Sequence, residues 1–367
     1  MRIGIIFLSM WSILLTAAQP DFYVWQRKHT PEVQAAVTEV LKFSESRLYF
    51  LAGELEQNGR VSIVSPSALP EAVFTRATPV IRIHIHHLNT PSAQLAAQIK
   101  ALYRPWQKCK ALQIDLDAPE SKIDYYTQLM LELRKRIPGI TLSATVLPCH
   151  VKHKTEFSKL AQACDFYVLQ IHGLEKRDGN YSLVDKKTTF SAIANAVNLK
   201  CPFKLALPAY CYNIENRTIK PDMDFIGKIA RFSDLHKFGV IFFRLGITGD
   251  GEALSLATMM ELCKSGKHTP VIRHEWQYSD DGSWYLYIKN CGSFAEKVSL
   301  DMKWKDGFTI TDADTFNNAE FSFDRKTLDL TLPPDGESKP FLWLRTPAAF
   351  DSNNSPLTIT RKDSHAK

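Results

Sequence analysis

Eight short apolar runs alternate with helical segments along this chain, and most runs carry polar residues at every second position. The runs are DFYVWQR (21–27), RLYFLAGEL (47–55), PVIRIHIHH (79–87), KALQIDLD (110–117), ITLSATVLP (140–148), DFYVLQIHG (165–173), PFKLALPAY (202–210) and GVIFFRLGI (239–247). Helical spacing marks 31–43, 92–106, 121–137, 186–198, 222–237 and 251–264. Thr30 and Ser92 suit N-caps, and Pro31 suits a first helical turn. Such alternation predicts the α/β class and a (β/α)8 TIM-like barrel, with an open doubly wound sheet as the alternative. The interval 56–78 carries the poorest helix signal.

In a barrel strand the side chains alternate between the helical layer and the interior. Ile81, Ile83 and Ile85 oppose Arg82, His84 and His86; Leu112, Ile114 and Leu116 oppose Gln113, Asp115 and Asp117. Leu169 and Ile171 oppose Gln170 and His172, Leu205 and Leu207 oppose Lys204, Pro208 and Tyr210, and Phe243 and Leu245 oppose Arg244. The first strand adds Tyr23, Trp25 and Arg27, and the second adds Glu54. Apolar faces must cover the helices, so the polar set looks into the barrel mouth. Active sites of this fold form at that end. The pattern therefore predicts a wet functional cleft.

Beyond about residue 268 the pattern becomes short alternating strands separated by DDG, KDG and PPDG turns, which predicts an antiparallel β-sandwich over 268–347. The barrel is thereby assigned to 19–267, and 348–367 reads as a flexible tail. Residues 1–18 read as a secretory signal peptide: Arg2, an apolar run over 3–15, and small residues for cleavage near Ala18. That run is short of the ~20 residues a membrane span needs. An exported protein, periplasmic or extracellular and without stable membrane insertion, is expected. The formal charge of +6 is spread without a basic block, which argues against a nucleic-acid partner. Seven cysteines show no metal-ligand spacing; Cys164 and Cys201 precede neighbouring strands, where either a disulfide or two reduced thiols would fit.

Asp115 and Asp117 are the leading catalytic candidates. Two residues apart on one strand, their Cα atoms lie ~6.6 Å apart on the same side. Like charges so placed raise one pKa, as a general acid requires, and Arg82 or Arg244 would hold the other charge. Hydrolysis of a glycosidic bond usually takes two carboxyls. The partner of Asp117 is left open among Asp115, Glu54, Glu120, Glu175 and Glu252. Trp25, Tyr210 and Tyr212 suit stacking on sugar rings and equally suit a core. His84 and His86 would share a face with Asp115 or His172 in a metal reading. Metal-dependent hydrolases on this fold, however, carry such a pair on the first strand, so hydrogen-bonding histidines fit better. No cofactor motif is present: GITGDGEA (246–253) lacks the Lys-Ser/Thr ending of a phosphate loop and reads as a rim loop bearing Asp250 and Glu252.

FYVWQRKHTPEVQAAV, ALQIDLDAPESKIDYYTQLMLELRKRIP, LSATVLP, YVLQIHG, FKLALPAY and FFRLG together resemble a bacterial family catalogued as domain of unknown function 3142. The resemblance spans nearly the whole mature chain and implies an exported bacterial barrel without an established activity. More distantly, LQIDLDAPE is similar to the DxxDxDxE motif of chitinase-like glycoside hydrolases. Asp115 and Asp117 match the last two Asp, Leu112 stands at the first, Pro119 at the catalytic Glu, and Glu120 one place later. Gln170-x-His172 replaces the Met-x-Tyr of the sixth strand.

The expectation is a glycoside-hydrolase-like protein acting on an oligo- or polysaccharide by carboxylate acid/base catalysis. Asp115, Asp117 and Glu120 are its catalytic candidates. Trp25, Arg27, Glu54, Arg82, His84, His86, Gln170, His172, Tyr210 and Arg244 are its substrate-binding candidates. A non-catalytic carbohydrate-binding barrel and a metal-dependent hydrolase are the alternatives.

Overall fold

The computed structural model describes residues 19–361 apart from 268–269, 280–281, 293–294, 305–308, 325, 334–336 and 346–356. The expected leader, 1–18, lies outside the described residues. Eight parallel strands form the barrel: β1 Asp21–Val24, β2 Leu48–Leu55, β3 Ala77–Ile83, β4 Ala111–Asp115, β5 Thr141–Val146, β6 Phe166–Gln170, β7 Phe203–Pro208 and β8 Gly239–Phe243. Each pairs with its sequence neighbour, and β1 pairs with both β2 and β8, closing the sheet. Helices α1 Pro31–Leu41, α2 Ser92–Tyr103, α3 Ile123–Arg136, α4 Lys154–Ala163, α5 Lys186–Asn198, α6 Met223–His236 and α7 Leu256–Ser265 surround it. The chain is a (β/α)8 barrel.

Between β2 and β3 the helix is replaced by a strand, Val61–Ile63, antiparallel to β2, and a 3-10 turn, Glu71–Val73. Trp106 packs against this region. It is fully buried, packs tilted against Phe50 at 5.5 Å, and donates from its indole nitrogen to Val64 O at 2.9 Å. At α2 the N-cap is Pro91, so Ser92 is the first helical residue and not the expected cap.

Outward residues such as Leu48, Phe50, Ile81, Leu112, Ile114, Leu169 and Leu205 join the helices in one core. Inside the barrel Tyr23, Tyr49, Val80, Val168, Ala206 and Ile241 form a smaller cluster. Below it Lys204 pairs with Asp21 at 2.5 Å, closing the end opposite the mouth. All seven cysteines are free, so no Cys164–Cys201 disulfide forms.

Two four-stranded antiparallel sheets follow. One has the order β9-β10-β15-β12 and the other β13-β14-β11-β16. Their ranges are β9 Ile272–Tyr278, β10 Ser283–Asn290, β11 Glu296–Trp304, β12 Asp312–Thr315, β13 Glu320–Ser322, β14 Thr327–Leu332, β15 Lys339–Arg345 and β16 Leu357–Arg361. Within the stretch read as a flexible tail, β16 pairs antiparallel with β11. Among the described residues no helix is long and apolar enough to cross a membrane.

Candidate active site

The strands end earlier than their apolar runs suggest. β1 stops at Val24, β3 at Ile83, β4 at Asp115, β6 at Gln170 and β8 at Phe243. Trp25, Arg27, His84, Asp117, His172, Tyr210 and Arg244 therefore sit on the loops just beyond the strands. They crown the barrel at its C-terminal end, where backbone no longer has to follow the ladder.

β2 delivers Glu54 through a bulge. Its register against β3 shifts between Leu51 and Gly53, so Tyr49 faces inward before the shift and Glu54, paired with Arg82, after it. Without the extra residue, strict alternation would turn Glu54 onto the helices. A side chain at Gly53 would lie 2.9 Å from Ser62 O, so the local path requires glycine. Glu54 is 5 % exposed. Arg27 holds it through two bonds, Nε to Oε2 at 2.6 Å and Nη2 to Oε1 at 2.9 Å, and Arg82 approaches Oε1 at 3.5 Å.

Asp115 answers for the buried acid of β4. Its Oδ1 accepts from Thr145 Oγ1 at 2.8 Å. Below it, Gln113 accepts from Tyr23 OH at 2.6 Å and donates to Ser143 Oγ at 3.3 Å. Burial, and then repulsion from Asp117, push the Asp115 carboxyl up to about 7, against the pull of Thr145 and Arg82. Asp117 reaches solvent at the mouth, yet enough protein surrounds it that desolvation raises its pKa, while Arg82 and His150 oppose the rise. The two acids thus form a pair that resists holding two charges.

Glu120 is separate from that pair. It lies exposed on the 3-10 turn Glu120–Lys122, where His153 Nε2 bonds its carboxylate and lowers its pKa. That shift runs opposite to what a proton donor needs. His150 holds the adjoining turn. Its Nε2 donates to Ala118 O at 2.7 Å and its Nδ1 accepts from Leu147 N at 3.2 Å. The ring is fully buried and burial lowers its pKa, as befits a neutral imidazole. Replacing His150 with Phe keeps a ring but leaves the Ala118 carbonyl unpaired beside Asp117. A loss of about 1–3 kcal/mol in unfolding free energy is expected. Urea midpoints would measure it, and an unchanged midpoint would mean the turn is held by other contacts.

The opposite wall is aromatic. Phe243 packs with Tyr23 at 5.7 Å, Trp25 at 5.1 Å and Tyr210 at 5.8 Å, and lies parallel to His172 at 5.0 Å. This corrects the facing expected for β8: Phe243 points into the barrel, and its neighbour Phe242 joins the outer core. In GVIFF both faces are apolar, so alternation carries no information there. The Phe243–Arg244 peptide is cis. Arg244 bonds Asp250 at 2.5 Å and approaches Glu252 at 3.9 Å, so it braces the rim loop. Burial lowers His172 to about 4, and its Nε2 is buried without a hydrogen-bond partner. Gln170 is half-buried at the end of β6.

The His pair also departs from expectation. His84 caps a 3-10 helix, Ile85–Asn89, on which His86 lies, so β3 no longer runs there. Their rings pack at 4.7 Å with the Nδ1 atoms 2.9 Å apart. His86 is exposed. Among the described residues no group of three His, Cys, Asp or Glu is arranged to hold a metal ion. Two hairpins unforeseen in the sequence, Glu175–Arg177 with Asn180–Ser182 and Tyr212–Ile214 with Arg217–Ile219, follow β6 and β7. They meet where Tyr181 OH donates to Glu215 at 2.9 Å. Glu175 and Tyr212 stand exposed on them.

Residues 77–224 match the family model for domain of unknown function DUF3142. The match runs from the start of β3 into α6 and so includes Arg82, Asp115, Asp117, Gln170, His172 and Tyr210. It is narrower than the motifs suggested, because FYVWQRKHTPEVQAAV and FFRLG fall outside it. No curated protein matches the chain at a significant level. Solved structures with similarity include the α-L-arabinofuranosidase of Thermotoga maritima in its arabinose complex, at 12% identity, with 73% of this chain and 75% of that chain covered and a TM-score of 0.32. The GH51 α-L-arabinofuranosidase of Thermotoga petrophila RKU-1 aligns at 13% identity over 73% and 75%, with a TM-score of 0.28. Amy13B of Eubacterium rectale aligns at 10% identity over 69% and 64%, with a TM-score of 0.26.

Proposed function

We propose that this barrel acts on an oligo- or polysaccharide after export, with Asp117 as general acid/base and Asp115 tuning it from below. The observation that carries the reading is the coupled pair in the mouth, one acid buried on Thr145 and the other reaching solvent. A group that protonates a leaving oxygen near neutral pH needs a raised pKa; desolvation raises that of Asp117, and burial with repulsion from Asp117 raises that of Asp115. Glu54, held by Arg27 and Arg82, offers the second carboxyl on the neighbouring side. Trp25 and Tyr210, packed against Phe243, supply flat surfaces for a sugar ring. A second reading, binding without turnover, is favoured by one observation: Glu120, next to the place of a catalytic Glu, is engaged by His153. A screen for reducing-end release over diverse oligo- and polysaccharides tests both. Release supports catalysis, and retention without release supports the binding reading.

The same pair predicts a stability profile. The folded Asp115 carboxyl keeps its proton up to about 7, above its ordinary 3.8. Between those values the native state binds more protons than the unfolded one, so this group's contribution falls as pH rises through the window and then levels off. Asp115→Asn removes that slope. The variant is expected to gain stability relative to the parent between about pH 4 and 7, read from urea midpoints. A difference independent of pH would contradict the burial argument.

A further inference from the structure

We infer that the outer face of the sheet β9-β10-β15-β12 is a second binding site, one for an extended, uncharged polysaccharide strand. The sheet turns Trp284, Leu286, Ile288, Leu342 and Leu344 into the sandwich core. The alternate positions point away from it, and they bring Tyr285 and Tyr287 on β10 beside Trp343 on β15. Tyr285 and Trp343 are direct cross-strand partners. Phe316, 38% exposed, lies nearly parallel to Tyr285 at an interplanar angle of 20°. All three β-strand rings are half-buried, so each keeps surface for a ligand. At the β9 end of this face Arg273 lines a cavity shared with Arg231, Met260 and Lys264 of the barrel.

Hydrogen-bonding side chains are interleaved with the rings. Gln277 stands opposite Tyr285, Glu275 opposite Tyr287, and Asp314 opposite Trp343. Gln277 Nε2 donates to Glu275 at 2.9 Å, which orients both beside the rings. A sugar presents apolar C–H faces with hydroxyls around the edge, and a ring flanked by carboxylate and amide groups meets both needs.

Charge and shape select among occupants. The remaining outward residues Arg273, Lys289 and Arg345 balance Glu275, Asp312 and Asp314, leaving no excess of either sign. A nucleic acid requires a positive surface. A protein partner favours an apolar core depleted of charge; here charged groups sit between the rings. A neutral glycan chain lying along the ring-bearing face fits both the charge balance and the interleaved polar groups. This site is independent of the barrel mouth.

Affinity electrophoresis of the full-length protein through gels holding xylan, arabinan or mixed-linkage β-glucan tests the proposal, with polygalacturonate as the charged arm. Retardation by at least one neutral polymer is expected. It should weaken roughly tenfold or more in Tyr285→Ala and Trp343→Ala. Gln277→Ala and Asp314→Asn, at exposed positions, serve as second variants should the ring variants fail to fold, and they should weaken retardation too. Several results overturn the proposal: no neutral polymer retained, equal retention in parent and all sandwich variants, or retardation by polygalacturonate alone. So does self-association in sedimentation that Trp343→Ala abolishes, since the face would then join two copies of this chain.

Discussion

Asp117→Asn is expected to reduce turnover of any glycan the protein cleaves by about 10²–10⁴-fold, with substrate binding largely retained. The amide keeps the size of the carboxyl and cannot deliver or accept the proton. It also removes the charge that helps to raise Asp115, so the Asp115 carboxyl should titrate lower in the variant. The activity profile of the parent follows from the same pair. Below neutrality the pair holds a proton to donate; as pH rises through about 7 that proton is lost and the rate should fall. Initial rates of reducing-end release, measured against pH for parent and variant, read both effects. An unchanged rate in Asp117→Asn would remove Asp117 from the chemistry, and Glu54, also directed into the mouth, would then be the acid to test.

Trp106→Ala is expected to produce the largest loss of stability, about 3–5 kcal/mol, or a fall of roughly 10 °C in Tm. Trp106 fills the side of the barrel where no helix follows β2. It touches Phe50 and His29, and it satisfies the Val64 carbonyl. Truncation opens a cavity and also leaves that carbonyl buried without its donor. Trp106→Phe separates the two effects: the ring is largely preserved, the donor is gone, and about 1–2 kcal/mol should be lost. Equal melting of the Ala and Phe variants would mean that packing contributes little at this place.

The barrel is legible because most of its strands show a contrast between apolar and polar faces, and because helix signals fall between them. Where that contrast vanished, so did the information. GVIFF is apolar on both faces, and Phe243 was assigned to the wrong one. In β2 the phase depends on a bulge at Ala52, which a period of two cannot express, and Glu54 reaches the mouth only through it. RIHIHH reads as a strand to its end, yet the ladder stops at Ile83 and the histidines turn onto a 3-10 helix. Thr145 shares the inward parity of its strand with Ser143, and that parity was the signal that could have found it. His150 left no comparable trace, since its role arises from contact with a turn 32 positions earlier in the chain.

Carboxyl-carbon NMR of the full-length protein labelled at aspartate tests the heart of this account. One aspartate resonance should titrate close to neutrality, disappear in Asp115→Asn and move to lower pH in Asp117→Asn. If every aspartate instead titrates near the ordinary 3.9, the two acids neither share a proton nor sense burial, and the mouth has no poised acid.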